Sequence, residues 1–214
     1  MRLILILTAL LAFQSAAATE FDEMKALADQ GLAAAQYNLA LMYDNGEGVP
    51  ENESEAVKWY RKAAAQGLAM AQFNLGQKYG NGEGVPKSAA EAVKWYRKAA
   101  GQGSVRAQYN LGLMYDFGNG VPKNDSEAVK WYREAAAQGL AMAQFNLGNM
   151  YATGRGVPEN NIRAYVWWSM AKTQGDADAT INIDIFKPQM TPQQISDAQA
   201  LAAKCYESNY TDCD

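Results

Sequence analysis

Apolar residues fall along this chain in two alternating helical patterns, and both return every 36 residues without slipping. In the first pattern Ala35, Leu39 and Tyr43 share one face at helical spacing, which predicts a helix (helix A) from about Leu32 to Asp44. In the second, Ala56, Trp59, Tyr60, Ala63 and Ala64 form the apolar stripe of a following helix B. Gly46-Glu-Gly-Val-Pro50 separates the two. Its glycines accept the left-handed backbone that closes a helix, and Val49-Pro50 imposes an extended step. Asn52-Glu-Ser-Glu55, Ser88-Ala-Ala-Glu91 and Asn124-Asp-Ser-Glu127 predict capping boxes at the starts of three helices B.

The phase is kept by Gly31, Gly67, Gly103, Gly139 and Gly175, and by Gln36-Tyr-Asn-Leu39 and its copies at 72–75, 108–111 and 144–147. A period of this size predicts an all-α solenoid built by stacking one helix pair, an architecture that presents binding surfaces. Ala40, Gly76, Gly112 and Gly148 recur inside helix A. A mid-helix Gly costs about 1 kcal/mol relative to Ala, so these positions predict a close crossing by helix B of the same repeat. Trp59, Trp95, Trp131 and Trp167 are expected to fill the space between successive repeats. The expected organisation is a signal peptide over 1–18, a capping helix over 19–30, four repeats over 31–174, and a partial fifth repeat with a C-terminal cap over 175–214. In that cap Pro188 stops a short helix A, and Thr191-Pro-Gln-Gln194 opens a last helix with Ile195, Ala198, Leu201, Ala202 and Cys205 on one face.

Composition narrows the setting. Arg2, the apolar run Leu3–Phe13 and Ala16-Ala-Ala18 read as a secretory signal with cleavage between Ala18 and Thr19. That run is too short for a bilayer span, which takes about 20 residues. Loss of Arg2 takes the basic count from 19 to 18 against 23 acidic side chains, a net charge of −5. Nucleic acid, which demands a concentrated basic face, is therefore not an expected partner. Cys205 and Cys213 are the two cysteines, and in an exported chain they read as a disulfide. Expected location is the periplasm or the exterior, with a bacterial host favoured. The Asn-x-Ser/Thr triplets at Asn52, Asn124 and Asn209 would matter in a eukaryotic secretory pathway alone.

Ala-Gln-Tyr/Phe-Asn-Leu-Gly, Gly-x-Gly-Val-Pro and Glu-Ala-Val-Lys-Trp-Tyr-Arg-Lys-Ala-Ala-x-Gln-Gly, held at constant phase, resemble the Sel-one-like repeat family, a relative of the tetratricopeptide repeat. The resemblance covers 31–174 and a partial fifth unit. It implies a right-handed α-solenoid of antiparallel helix pairs with helix A on the concave side, acting as an adaptor that binds proteins. The C-terminal helix and its paired cysteines also resemble the tails of exported bacterial members. The fourth unit departs from the pattern: Arg163-Ala-Tyr-Val-Trp-Trp168 lacks the acidic half of the capping box, so a looser helix start is expected there.

Candidate chemistry is sparse. The chain has no His, which removes Ser-His-Asp and Cys-His nucleophilic sites together with the commonest metal ligand. No phosphate loop, metal site or cofactor site is expected. Ser169-Met-Ala-Lys172 has the Ser-x-x-Lys spacing of penicillin-binding enzymes, yet the repeat phase sets Ser169 where Arg61, Arg97 and Arg133 stand, an outward position. A weak β-lactam hydrolase is thus one alternative, and a cell-wall glycan binder using exposed aromatics is another. The leading expectation is a protein or peptide bound on the concave face. By analogy with tetratricopeptide units that face shows Ala34, Met70, Arg106 and Met142, then Tyr37, Phe73, Tyr109 and Phe145, then Leu41, Gln77, Leu113 and Asn149. Aromatic, Met and Arg residues are those enriched at interface centres. The aromatic column could equally pack between neighbouring helices.

Overall fold

The computed structural model describes residues 20–213, all of whose regular secondary structure is helical. Segment 1–18 and the expected cleavage point between Ala18 and Thr19 lie outside the described residues. The helices are α1 (20–29), α2 (Ala33–Asn45), α3 (Glu53–Ala65), α4 (Ala69–Asn81), α5 (Ala89–Gly101), α6 (Val105–Phe117), α7 (Asp125–Ala137), α8 (Ala141–Thr153), α9 (Asn161–Thr173), α10 (Ala177–Phe186) and α11 (Pro192–Glu207). A 3-10 turn, Lys187–Gln189, separates the last two. The chain divides into two compact units, one ending at Gln102 and one beginning at Gly103. In the first, α2 packs on α3 and α4 on α5, and α3 joins the pairs through α4. In the second, α6 pairs with α7 and α8 with α9, joined through α7 and α8.

The mid-helix glycines seat aromatic rings. A Cβ at Gly76 would stand 2.7 Å from the Tyr96 ring, at Gly112 2.6 Å from Tyr132, and at Gly148 2.6 Å from Trp168. Each ring belongs to helix B of the same repeat and is buried. Burying a large apolar side chain contributes about 1.5–3 kcal/mol, which offsets the propensity cost of the glycine. The turn glycines act differently. Gly84 and Gly156 have φ of 65° and 70°. A Cβ on either would come within 2.3 Å of a backbone carbonyl oxygen, that of Glu53 or of Asp125. Each loop therefore lies directly on the start of the preceding helix B.

A buried glutamine recurs in each of the four repeats. The Gln66, Gln102, Gln138 and Gln174 side chains donate to the side-chain Oε1 atoms of Gln36, Gln72, Gln108 and Gln144 at 2.7–2.8 Å. Gln36, Gln72 and Gln144 in turn donate to the carbonyls of Ala28, Ala64 and Ala136 on the preceding helix B. Ala28 lies in the last turn of α1, so this lone helix takes the place of a helix B. Phe21 at its start meets the Tyr43 ring edge-on at 5.5 Å.

The helix starts differ in part from the expected capping boxes. Asn52, Ser88 and Asn124 accept from the N–H groups of Glu55, Glu91 and Glu127. The Glu55 and Glu91 carboxylates turn outward to Lys58 and Lys94 instead of back to the cap. Both halves of the box form at Thr191 and Gln194. The fourth helix B is not looser: Asn160 accepts from the Arg163 N–H at 3.0 Å, with the same extended backbone as its counterparts. The cap oxygen suffices without the acid. Trp59 and Trp167 are buried as expected, whereas Trp95 and Trp131 are half-exposed.

At the C-terminus α11 packs mainly on α9. Cys205 and Cys213 are buried and joined by a disulfide. Asn209 and Tyr210 between them both take left-handed φ, 52° and 69°, uncommon for residues with a Cβ.

Candidate functional site

Helix A presents one row of its surface outward, and each unit shows its own part of that row. In the first unit Met70 is 56 % exposed and Gln77 is exposed, as is Ala34. In the second, Arg106 is exposed and Met142 is 52 % exposed. These five side chains are all exposed. Leu41 and Leu113 are half-buried. Asn149, also half-buried, is already engaged: its side-chain oxygen accepts from Trp168 Nε1 at 3.0 Å and from Asn182 at 2.9 Å. Its polarity serves the interior as much as the surface.

The aromatic column packs inward. Tyr37, Phe73 and Tyr109 meet Tyr60, Tyr96 and Tyr132 of their own repeats with ring centroids 5.8, 5.8 and 6.1 Å apart. Phe73 is buried, and Tyr37, Tyr109 and Phe145 are half-buried. Burial pushes the Tyr109 phenol above its ordinary pKa, with a hydrogen bond to Asn146 partly opposing it. Packing between helices A and B therefore governs Tyr37, Phe73 and Tyr109.

Two further residues occupy the same row. Ile181 and Ile185 of α10 sit 36 residues after Phe145 and Asn149, and are 54 % and 57 % exposed. The signal was in the sequence, because the phase simply continues into the fifth helix A. Their exposure follows from α11 docking on α9, which leaves α10 without the helix B partner its counterparts have.

Ser169 and Lys172 both lie on α9, three residues apart. The Ser169 hydroxyl donates to the Tyr165 carbonyl of its own helix at 2.7 Å, and Lys172 is exposed. A nucleophile needs its hydroxyl aimed at a base within hydrogen-bond reach. The described residues hold no group of three or more His, Cys, Asp or Glu able to bind a metal ion. None of their helices is long and apolar enough to cross a membrane.

A frame of repeated helix pairs, with exposed positions that vary from repeat to repeat, defines a helical-repeat scaffold of the α-solenoid class. The Sel1 repeat matches residues 33–68, 69–104, 105–140 and 141–176, and the chain belongs to this family. It is similar to the crystal structure of a protective antigen present in uropathogenic Escherichia coli strains displaying an SLR fold: 34 % identity, TM-score 0.76, covering 90 % of this chain and 46 % of that one. The chain thus spans under half the length of that relative. It is also similar to a Sel1 repeat protein from Oxalobacter formigenes: 35 % identity, TM-score 0.68, covering 92 % of this chain and 76 % of the other. No curated protein sequence matches the chain. Sel1 repeat proteins are in general non-enzymatic scaffolds for protein interactions.

Proposed function

We propose that this protein is an exported adaptor that binds a protein or peptide on the helix A row. The observation that carries this reading is the contrast between constant interior and variable surface. Gln36, Gln72, Gln108 and Gln144 are identical and buried, while Ala34, Met70, Arg106 and Met142, two residues earlier in each repeat, are exposed and vary. Methionine adapts its shape to a partner, and arginine recognises carboxylates. Export is supported by the disulfide, which persists in oxidising compartments.

The test is a cross-linked pull-down from envelope extract with the native chain beside an Arg106→Ala/Gln77→Ala variant. The native form is expected to retain a defined protein that the variant loses. Recovery of the same set by both forms would remove this row from recognition.

A further inference from the structure

We infer that the outer face of α3 and α5 in the first unit is a second docking site, for an acidic peptide segment carrying a tyrosine. The second unit supplies the precedent within its own chain. There Tyr210, Thr211 and Cys213 line a cavity of about 200 Å³ together with Arg133, Glu134 and Ala137 of α7 and Trp167 of α9. The Tyr210 ring lies against the backbone at Gly139, where a Cβ would stand 3.1 Å from it. The disulfide and the two left-handed residues hold this turn in place. An irregular segment led by a tyrosine is thus what the outer helix B surface accepts.

The repeat counterparts 72 residues earlier are Arg61, Lys62 and Ala65 on α3 and Trp95 on α5. Here the surface is open, with depressions of about 440 Å³ on α3 and about 480 Å³ on α5. The charge also differs. Lys62 and Lys98 stand where the second unit has Glu134. Lys58, Arg61, Lys62, Lys94, Arg97 and Lys98 line the two depressions against the carboxylates of Glu55 and Glu91 alone. Lys62 Nζ lies 3.5 Å above the Trp59 ring and Lys98 Nζ 4.3 Å above that of Trp95, so each cation is held over an aromatic floor. On a chain of net charge −4 this is a locally basic face. Such a face selects and steers an acidic partner. The surface is separate from the helix A row, so the two readings stand or fall independently.

The probe is a fluorescent peptide with the sequence of residues 207–212, Glu-Ser-Asn-Tyr-Thr-Asp, titrated into the purified full chain and followed by anisotropy. Saturable binding is expected at low salt, and it should weaken about tenfold in Lys62→Glu/Lys98→Glu. It should also weaken when Tyr210 of the peptide is replaced by Ala, and stay unchanged in Arg106→Ala/Gln77→Ala. Both lysines are exposed, and circular dichroism checks that the reversed variant is folded. No saturable binding, or equal binding by the charge-reversed variant, would overturn the proposal. Equal binding of the tyrosine-free peptide would overturn it as well, leaving a generic polyanion surface.

Discussion

The two units solve one electrostatic problem in two ways. In the first, Asp44 at the end of α2 accepts from the Tyr60 hydroxyl at 3.1 Å and pairs with Lys78 at 2.6 Å. Lys78 also meets Glu83 at 3.1 Å. In the second, Asp116 accepts from Tyr132 at 3.2 Å and pairs with Arg155, which also holds Asp125 at 2.7 Å. Asp and Tyr come from the same repeat positions, but the cations do not. Lys78 stands in a column otherwise filled by Met42, Met114 and Met150, whereas Arg155 stands in the loop column of Glu47, Glu83 and Asn119. Gly80 and Ala152 occupy the Asp column in the remaining repeats. A partly buried carboxylate calls for a countercharge, and the repeat template leaves open which element provides it. The difference has a consequence: the lysine is buried within the helix packing, whereas the arginine reaches in from a half-exposed loop.

Breaking the first pair should have the larger effect. Lys78→Met restores the residue of its column but leaves Asp44 facing Tyr60 without its cation. Removing one partner of a buried pair costs about 3–5 kcal/mol. Because Asp44 keeps some solvent access, the lower end, about 3 kcal/mol, is expected in a urea titration. Adding Asp44→Ala, which copies Ala152, should recover most of the loss. A double variant no more stable than Lys78→Met alone would mean that the cost is poor packing at position 78.

Arg155→Gln should cost less, about 1–2 kcal/mol, since its side chain is over one-third exposed and Asp116 keeps the Tyr132 hydroxyl. Thermal unfolding of this variant beside Lys78→Met compares the two locks directly. An equal loss in both would show that the burial of the cation is not what separates them.

The frame of this molecule was legible because every repeat restates it. Gly76, Gly112 and Gly148 pointed to close crossings, and the rings of Tyr96, Tyr132 and Trp168 fill them. The Asp44 and Asp116 locks were not legible, since their cations come from columns that are otherwise Met, Glu or Asn. No periodic pattern announces a residue that departs from the period. The helix A row was legible as positions, but whether a ring points in or out depends on its neighbour. Tyr37 and Phe73 were placed by rings 23 residues further on, Tyr60 and Tyr96. Whether Ile181 is covered depended on where α11 docks.

Titration gives the finest comparison between the locks. At the acid end both behave alike. Hydrogen bonds from Lys78 and Arg155 hold the Glu83 and Asp125 carboxyls below their ordinary pKa. A carboxyl depressed by folding adds stability above its unfolded pKa, and this is lost as pH falls through the folded value. At the alkaline end the locks part. Burial pushes the Tyr60 and Tyr132 phenols up in both units, so each loses stability above pH 10 as the unfolded phenols ionise. Lys78 adds to this in the first unit only. Burial lowers its pKa, but Asp44 and Glu83 more than offset that and leave it above 10.5. Its contribution is therefore complete below 10.5 and is lost as pH rises through the folded value. Arg155 stays charged throughout this range. Stability measured in urea from pH 9 to 11.5 should accordingly fall less steeply in Lys78→Arg than in the native chain, with no such change in Arg155→Lys below pH 10. Parallel curves for native and Lys78→Arg would show that the tyrosines alone set the alkaline limit.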